Sequence, residues 1–219
     1  MKRVFDFCFA LSVIIIFIPI GILIASLLRI TAENEVFFYQ RRVGVNGKMF
    51  NLIKFATMLK NSPNLGAKDV TITDDPRVLP FGVILRKTKL NEFPQFMNVL
   101  LGDMSLVGPR PLVLNQFKMF TPDYQKLIKD IRPGITGIGS IVFRDEEKLL
   151  IKTNEKSIKI HEQDIIPFKE QLETWYVQNK SLVTDMLIIF YTVFILFAPN
   201  SALHNYIFKN LPRHETFNP

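Results

Sequence analysis

The feature that most constrains this chain is the uncharged stretch at residues 7–28, FCFALSVIIIFIPIGILIASLL, with Pro19 near its centre. A helix of that length runs about 33 Å at about 1.5 Å per residue, enough for a hydrocarbon core of about 30 Å. Pro19 lacks an N–H and its ring crowds the carbonyl four residues back, so the expectation is a helix kinked or broken near its middle. Such a helix either crosses a bilayer or enters it and returns to the same face. Lys2 and Arg3 precede the stretch and Arg29 follows it, so both ends carry the positive flank of a cytoplasmic face, which favours return. The run is too long for a cleaved signal peptide, and Leu27-Leu28-Arg29 offers no small-residue cleavage site.

A chain of 219 residues leaves room for one sizeable domain beyond this helix. The single cysteine, Cys8, lies inside the apolar stretch, which excludes an intramolecular disulfide and a cysteine-based zinc site and suits a cytoplasmic domain. Basic residues outnumber acidic ones 27 to 20, a net charge of +7 that draws anionic lipid, phosphorylated small molecules or nucleic acid. The membrane segment favours the first two. No finger, homeodomain or RNA-binding sheet motif is present, so nucleic acid is not an expected partner.

Along the chain, residues 35–42 (EVFFYQRR) and 49–55 flank a turn at 44–48 and read as a hairpin. Residues 60–75 are polar and carry Pro63, Gly66 and Asp74-Asp75-Pro76, a surface loop over a site. Leu90, Phe93, Met97 and Leu101 recur at intervals of three and four, one buried helical face. Pro94 is tolerated there only in a first turn, which sets the helix start between Thr88 and Phe93. Residues 102–110 (GDMSLVGPR) and 132–139 (RPGITGIG) read as irregular backbone, and 116–130 as helical. Phe168, Leu172, Trp175 and Tyr176 mark a helix laid on a core or on the bilayer. Residues 186–198 are apolar but too short to span, an interfacial or core-packed helix, and Ala202 to Arg213 continue in that vein. The fold class is therefore α/β in content (α+β, mostly helical): a membrane helix at 1–30, a catalytic domain at 31–185 and a C-terminal apolar segment at 186–219.

Glu92 is the sharpest candidate for chemistry, an acidic residue at an expected helix start where free N–H groups stabilise negative charge. Ordinary capping gives the same pattern. Its neighbours raise it: Arg86, Lys87 and Lys89 before, Asp103, Ser105, Gly108 and Arg110 after. Carboxylates among basic groups are what metal-assisted phosphoryl chemistry uses. Arg110 stands between two prolines, a rigid support for a phosphate-binding fork. The glycines at 134–139 either bring N–H groups to an anion or form a tight turn. Arg41 and Arg42 read as a membrane-near basic pair facing lipid headgroups or a substrate phosphate.

Five stretches carry a resemblance: KRVFDFCFAL at 2–11, YQRRVG at 39–44, TDDPRVLPFGVILRKTKLNEFPQFMNVLLGDMSLVGPRP at 73–111, RPGITG at 132–137 and ETWYVQNKSLVTDM at 173–186. On these the chain resembles the bacterial sugar transferases of the monotopic phosphoglycosyl transferase type, which start glycan assembly on polyprenol phosphate. The resemblance implies a re-entrant helix broken at Pro19, residence in the bacterial cytoplasmic membrane with the domain facing the cytoplasm, and a magnesium-assisted reaction. In it an aspartate attacks the sugar phosphate of a UDP-sugar, UMP leaves, and undecaprenyl (polyprenol) phosphate takes the phosphosugar. It places Asn91 and Glu92 at the catalytic and metal position, Asp103 as a weaker metal ligand, and Arg86, Arg110, Arg132, Lys54 and Arg41 on substrate phosphates. The sequence leaves the oligomeric state, a homo-oligomer included, open.

The chain departs from that pattern at its centre: Asn91 stands where the resemblance calls for the attacking aspartate. An amide is a poor nucleophile and a poorer magnesium ligand than a carboxylate. Either the position has been altered, or the attacking group has moved to Glu92 or another carboxylate, or the protein binds without turnover. Ala56 replaces a usual basic residue, and residues 139–142 lack the usual aromatic and glutamine, changes that suit a different nucleotide sugar.

Overall fold

The computed structural model describes residues 1–31, 33–62, 75–144, 164–198, 201 and 203–214. The hairpin forms where the pattern places it: β1 (Phe37–Val43) pairs antiparallel with β2 (Met49–Phe55), Phe37 opposite Phe55 and Val43 opposite Met49. The turn between them, Val45–Gly47, is tied down by Asn46 N–H donating to the Lys129 carbonyl at 2.7 Å. Side chains alternate across the ribbon, so Phe38, Gln40 and Arg42 share a face with Leu52 and Lys54, while Arg41 falls on the other.

Next come α2 (Pro80–Lys87), a single 3₁₀ turn at Leu90–Glu92, and α3 (Gln95–Leu101). The periodic run was expected to make one helix starting between 88 and 93. Instead α2 starts earlier, with Pro80 in its first turn. Lys89 then takes a left-handed φ of 59°, and Pro94 sits just ahead of α3 rather than inside it. Asn98 stitches α3 to the hairpin: its Oδ1 accepts Ile53 N–H at 3.0 Å and its Nδ2 donates to the Asn51 carbonyl at 2.8 Å.

The two glycine-rich stretches expected to be irregular contain a parallel pair of short strands, β3 (Ser105–Val107) and β4 (Gly134–Thr136). Gly134 serves close approach: a Cβ there would lie 2.2 Å from Gly108 N. Its N–H donates to the Pro109 carbonyl at 2.9 Å, and Gly108 N–H to the Thr136 carbonyl at 3.0 Å. Those donors are spent on the backbone, so the anion cradle suggested for this run is not formed by Gly134.

The helix expected over 116–130 is two, α4 (Leu114–Phe117) and α5 (Pro122–Ile128). Thr121 separates them as the N-cap of α5, accepting Tyr124 N–H at 3.3 Å. After α6 (Ile138–Val142), α7 (Ile166–Asn179) buries Phe168, Leu172, Trp175 and Tyr176, the four residues whose spacing announced it. The expected loop at 60–75 and the charged run from 144 fall largely outside the described residues.

Helix α8 (Leu182–Phe197) starts at Ser181, which caps Thr184 N–H at 3.0 Å, and is followed by the short α9 (His204–Ile207). Ile188, Tyr191 and Ile195 enter the main core with Leu52, Val99, Met104, Ile138 and Leu172, whereas Met186, Phe190, Val193 and Phe197 are exposed. The helix is core-packed on one side and bare and apolar on the other. A boundary between 185 and 186 therefore cuts through one helix, and the C-terminal segment shares the domain's core.

Helix α1 (Lys2–Thr31) is continuous, with Pro19 in its interior. The helix is not broken at Pro19, where proline removes one backbone bond without ending it. It is the one helix among the described residues long and apolar enough to cross a membrane. It lies along the domain. Arg3 donates to the Val99 carbonyl at 2.6 Å and the Leu100 carbonyl at 3.0 Å, and Asp6 accepts the Ser105 hydroxyl at 2.7 Å. Midway, the Phe17 and Phe93 rings meet at 5.6 Å, and at the far end Ile24 and Leu28 are buried with Phe55 and Leu85. Its opposite side exposes Ile15, Ile16, Ile18, Ile22 and Leu23.

Candidate active site

Lys54 projects from β2 and Glu92 from the 3₁₀ turn, and their charged groups meet at 3.6 Å with 19% and 24% of the side chains exposed, so the pair is accessible from solvent. Burial works against the Glu92 charge, but Lys54, Arg110 and Lys89 outweigh it and hold the carboxyl down at about 2. Burial also pulls Lys54 down; Glu92 supports its charge while Arg110, Arg42 and Arg86 oppose it, leaving it at about 8. One carboxylate thus stands among Lys54 and three arginines drawn from β1, α2 and the segment after β3. Such a surplus of positive charge suits an anion with more than one negative oxygen.

Arg110 is presented by a fixed segment. On one side the Pro109 carbonyl accepts Gly134 N–H; on the other the Pro111 carbonyl accepts Arg42 Nη1 at 2.9 Å, and Val43 N–H reaches the Leu112 carbonyl at 2.9 Å. The guanidinium itself is exposed and lines a cleft of about 360 Å³ together with Gly44, Gln125, Lys126 and Lys129. It also lines a second, smaller cavity beside Glu173.

Asn91 is 8% exposed and its Oδ1 has no hydrogen-bond partner, a buried acceptor next to Glu92 in the chain. The support for the Glu92 charge comes from side chains rather than a helix start, because α3 begins three residues later.

The structure brings together Glu92, Asn91, Lys54, Arg86 and Arg110 from the sequence expectations and leaves three others out. Asp103 lies at the other end of α3, 3.3 Å from Asn98 Nδ2, and no group of three His, Cys, Asp or Glu suited to a metal occurs among the described residues. Arg132 donates from Nε to the Gly102 carbonyl at 2.9 Å, a brace between two loops. Arg41 is exposed on the far face of the ribbon, and its neighbour Arg42 takes the inward place. Strand alternation carried that choice, but only once the register with Lys54 is known. Glu173 was passed over altogether, hidden among the apolar spacing of its helix.

A family model described as bacterial sugar transferase matches residues 1–199. The chain is 32% identical to the exopolysaccharide production protein ExoY of Sinorhizobium fredii, over 88% of this chain and 83% of that protein. It is 35% identical to the UDP-N-acetylgalactosamine-undecaprenyl-phosphate N-acetylgalactosaminephosphotransferase of Aeromonas hydrophila, over 88% of this chain and 43% of that protein. It is 30% identical to the undecaprenyl-phosphate galactose phosphotransferase of Salmonella typhimurium, over 92% and 41% respectively. The chain thus spans less than half the length of the last two.

Proposed function

The chain belongs to the bacterial sugar transferase family, and on that footing we propose that it transfers a sugar phosphate from a UDP-sugar to polyprenol phosphate and releases UMP. The observation that carries this reading is the Glu92 carboxylate, held ionised beside Lys54 and ringed by Arg42, Arg86 and Arg110 at an accessible surface. In the transfer, an oxygen nucleophile forms a bond to the sugar-bearing phosphorus, the bond from that phosphorus to the bridging diphosphate oxygen breaks, and UMP departs with the electron pair. Both donor and acceptor are anionic, so the arginines and Lys54 hold two phosphate groups together that repel each other in water. Glu92 is the carboxylate placed to attack or to orient the attacking group.

Magnesium fits the donor set sparingly. Glu92 offers a carboxylate and Asn91 an unpartnered carbonyl oxygen, and Mg²⁺ is commonly held by one or two protein oxygens with water and substrate phosphates completing its shell. When bound it neutralises charge on the phosphates.

The membrane reading is one-sided. In this reading the helix lies within one leaflet and leaves the domain on the cytoplasmic face of the inner membrane; what supports it is that Lys2, Arg3 and Asp6 at one end of α1 and Ile24 and Leu28 at the other contact the same domain. There the site meets both a soluble nucleotide sugar and a lipid phosphate.

A second reading, binding without turnover, is favoured by Asn91 alone. The test is the chain reconstituted in lipid with undecaprenyl phosphate, Mg²⁺ and a panel of UDP-sugars, followed for UMP and for a lipid-linked sugar diphosphate. Product with at least one sugar supports transfer, whereas saturable UDP-sugar binding with no UMP from any of them selects the second reading.

A further inference from the structure

The small cavity that shares Arg110 with the cleft has a volume of about 40 Å³ and is bordered by Glu173, Lys169, Tyr124, Gly139 and Ser140. Glu173, on α7, is 4% exposed. The Gly139 backbone N–H lies where it favours the ionised carboxyl, and a Cβ at residue 139 would sit 2.5 Å from Oε1 and push the carboxyl aside. The other oxygen, Oε2, has no hydrogen-bond partner. A buried acceptor left unpaired is unfavourable, and the space beside it, walled by Leu112, Phe120 and Phe143 as well as by the polar groups, can seat one donor group. The space holds a few water-sized groups, too little for a hexose ring and enough for one exocyclic substituent.

We infer that this cavity receives a hydroxyl-bearing substituent of the donor's sugar, with Glu173 accepting its hydrogen bond and Arg110 holding the adjoining phosphate. The inference rests on the UDP-sugar reading above and makes Glu173 a specificity-determining residue rather than a reacting one. Burial pushes the Glu173 carboxyl up to about 7 against the Gly139 N–H and the Lys169 charge, so its acceptor strength changes across neutral pH. Among the described residues the other charged or titratable groups around it are Arg110 at the mouth, Tyr124 from α5, whose hydroxyl burial, Glu173 and Glu170 keep protonated well beyond that range, and Tyr176 on its own helix, likewise kept protonated by burial and its acidic neighbours.

The experiment is equilibrium binding of UDP and of UDP-glucose, UDP-galactose and their N-acetylated counterparts to the full chain in lipid nanodiscs. Glu173→Gln should weaken the preferred UDP-hexose about tenfold, the loss of one charge-assisted bond, with UDP affinity changed less than about twofold. Ser140→Ala, which leaves the buried carboxyl in place, should weaken it about threefold with the same indifference of UDP. Between pH 6 and pH 8 the ratio of UDP-hexose to UDP affinity should move in the wild type and stay flat in Glu173→Gln. A ratio unchanged in both variants, or a parallel loss of UDP and UDP-hexose in both, would overturn the inference and leave Glu173 a prop for the 137–140 turn. Binding of UDP with no discrimination among the hexoses would overturn it while sparing the donor reading. Failure of the wild type to bind UDP at all would overturn both.

Discussion

Glu92 keeps its charge through its neighbours, whereas burial, with Arg110, Arg42 and Arg86 behind it, lowers Lys54. Because Lys54 sits at about 8, its positive charge is present below that value and lost as pH rises through it, whereas Glu92 stays ionised down to about 2. UDP affinity should accordingly fall between pH 7 and pH 9, and Lys54→Arg, whose side chain stays charged, should flatten that fall. Titration calorimetry at the two pH values checks it; an equally steep fall in Lys54→Arg would remove Lys54 from the phosphate site. At this scale Glu92, Arg86 and Arg110 were legible because charge of one sign clusters around a lone carboxylate in the sequence, whereas Lys54, distant in the chain, came only with the family resemblance. Arg42 was not separable from Arg41, since the choice depends on which face of the ribbon meets Lys54. Glu173 was invisible because burial and a missing partner are properties of the packed molecule.

Elements were legible where periodicity ran uninterrupted, as in the hairpin and α7. They were misread where one residue redirects the chain. Pro80 starts α2, Thr121-Pro122 splits the helix expected at 116–130, and Lys89 at positive φ separates Glu92 from α2. The glycine-rich runs look irregular in sequence, yet Gly108 and Gly134 are glycine because two backbones meet there as strands. Asn98 is the corresponding join between α3 and the hairpin. Asn98→Ala strands Ile53 N–H and the Asn51 carbonyl and should cost about 2–4 kcal/mol, read as a drop in denaturation midpoint. Asp103→Asn, on the same cluster but outside the phosphate site, should leave UDP affinity unchanged within about twofold, a small loss next to one phosphate contact. A large loss of UDP binding would restore Asp103 to the site.

For the whole molecule, the sequence supplied the membrane helix and its flanking charges, but its course along the domain needed the contacts. Lys2 is tied to Asp185, to the Val107 carbonyl and to Tyr176, and that network, buried at Asp185 and Tyr176, fixes the N-terminal end of α1 to the start of α8. The proposed one-sided topology predicts that single cysteines at positions 2 and 213, introduced after replacing Cys8, both react with a membrane-impermeant thiol reagent from the cytoplasmic side and neither from outside. Labelling of position 2 from outside alone would mean that α1 crosses.

The central claim is that phosphoryl transfer happens at Glu92 and its cationic ring, and UMP release by three versions of the chain tests it most directly. In lipid with undecaprenyl phosphate, Mg²⁺ and the UDP-sugar that binds best, Asn91→Asp restores a second carboxylate beside Glu92 and should raise UMP release by about 100-fold or more. Adding Glu92→Gln to it should remove that gain. Undiminished UMP release after Glu92→Gln, or none from Asn91→Asp with a UDP-sugar bound, would place the chemistry elsewhere and contradict the account.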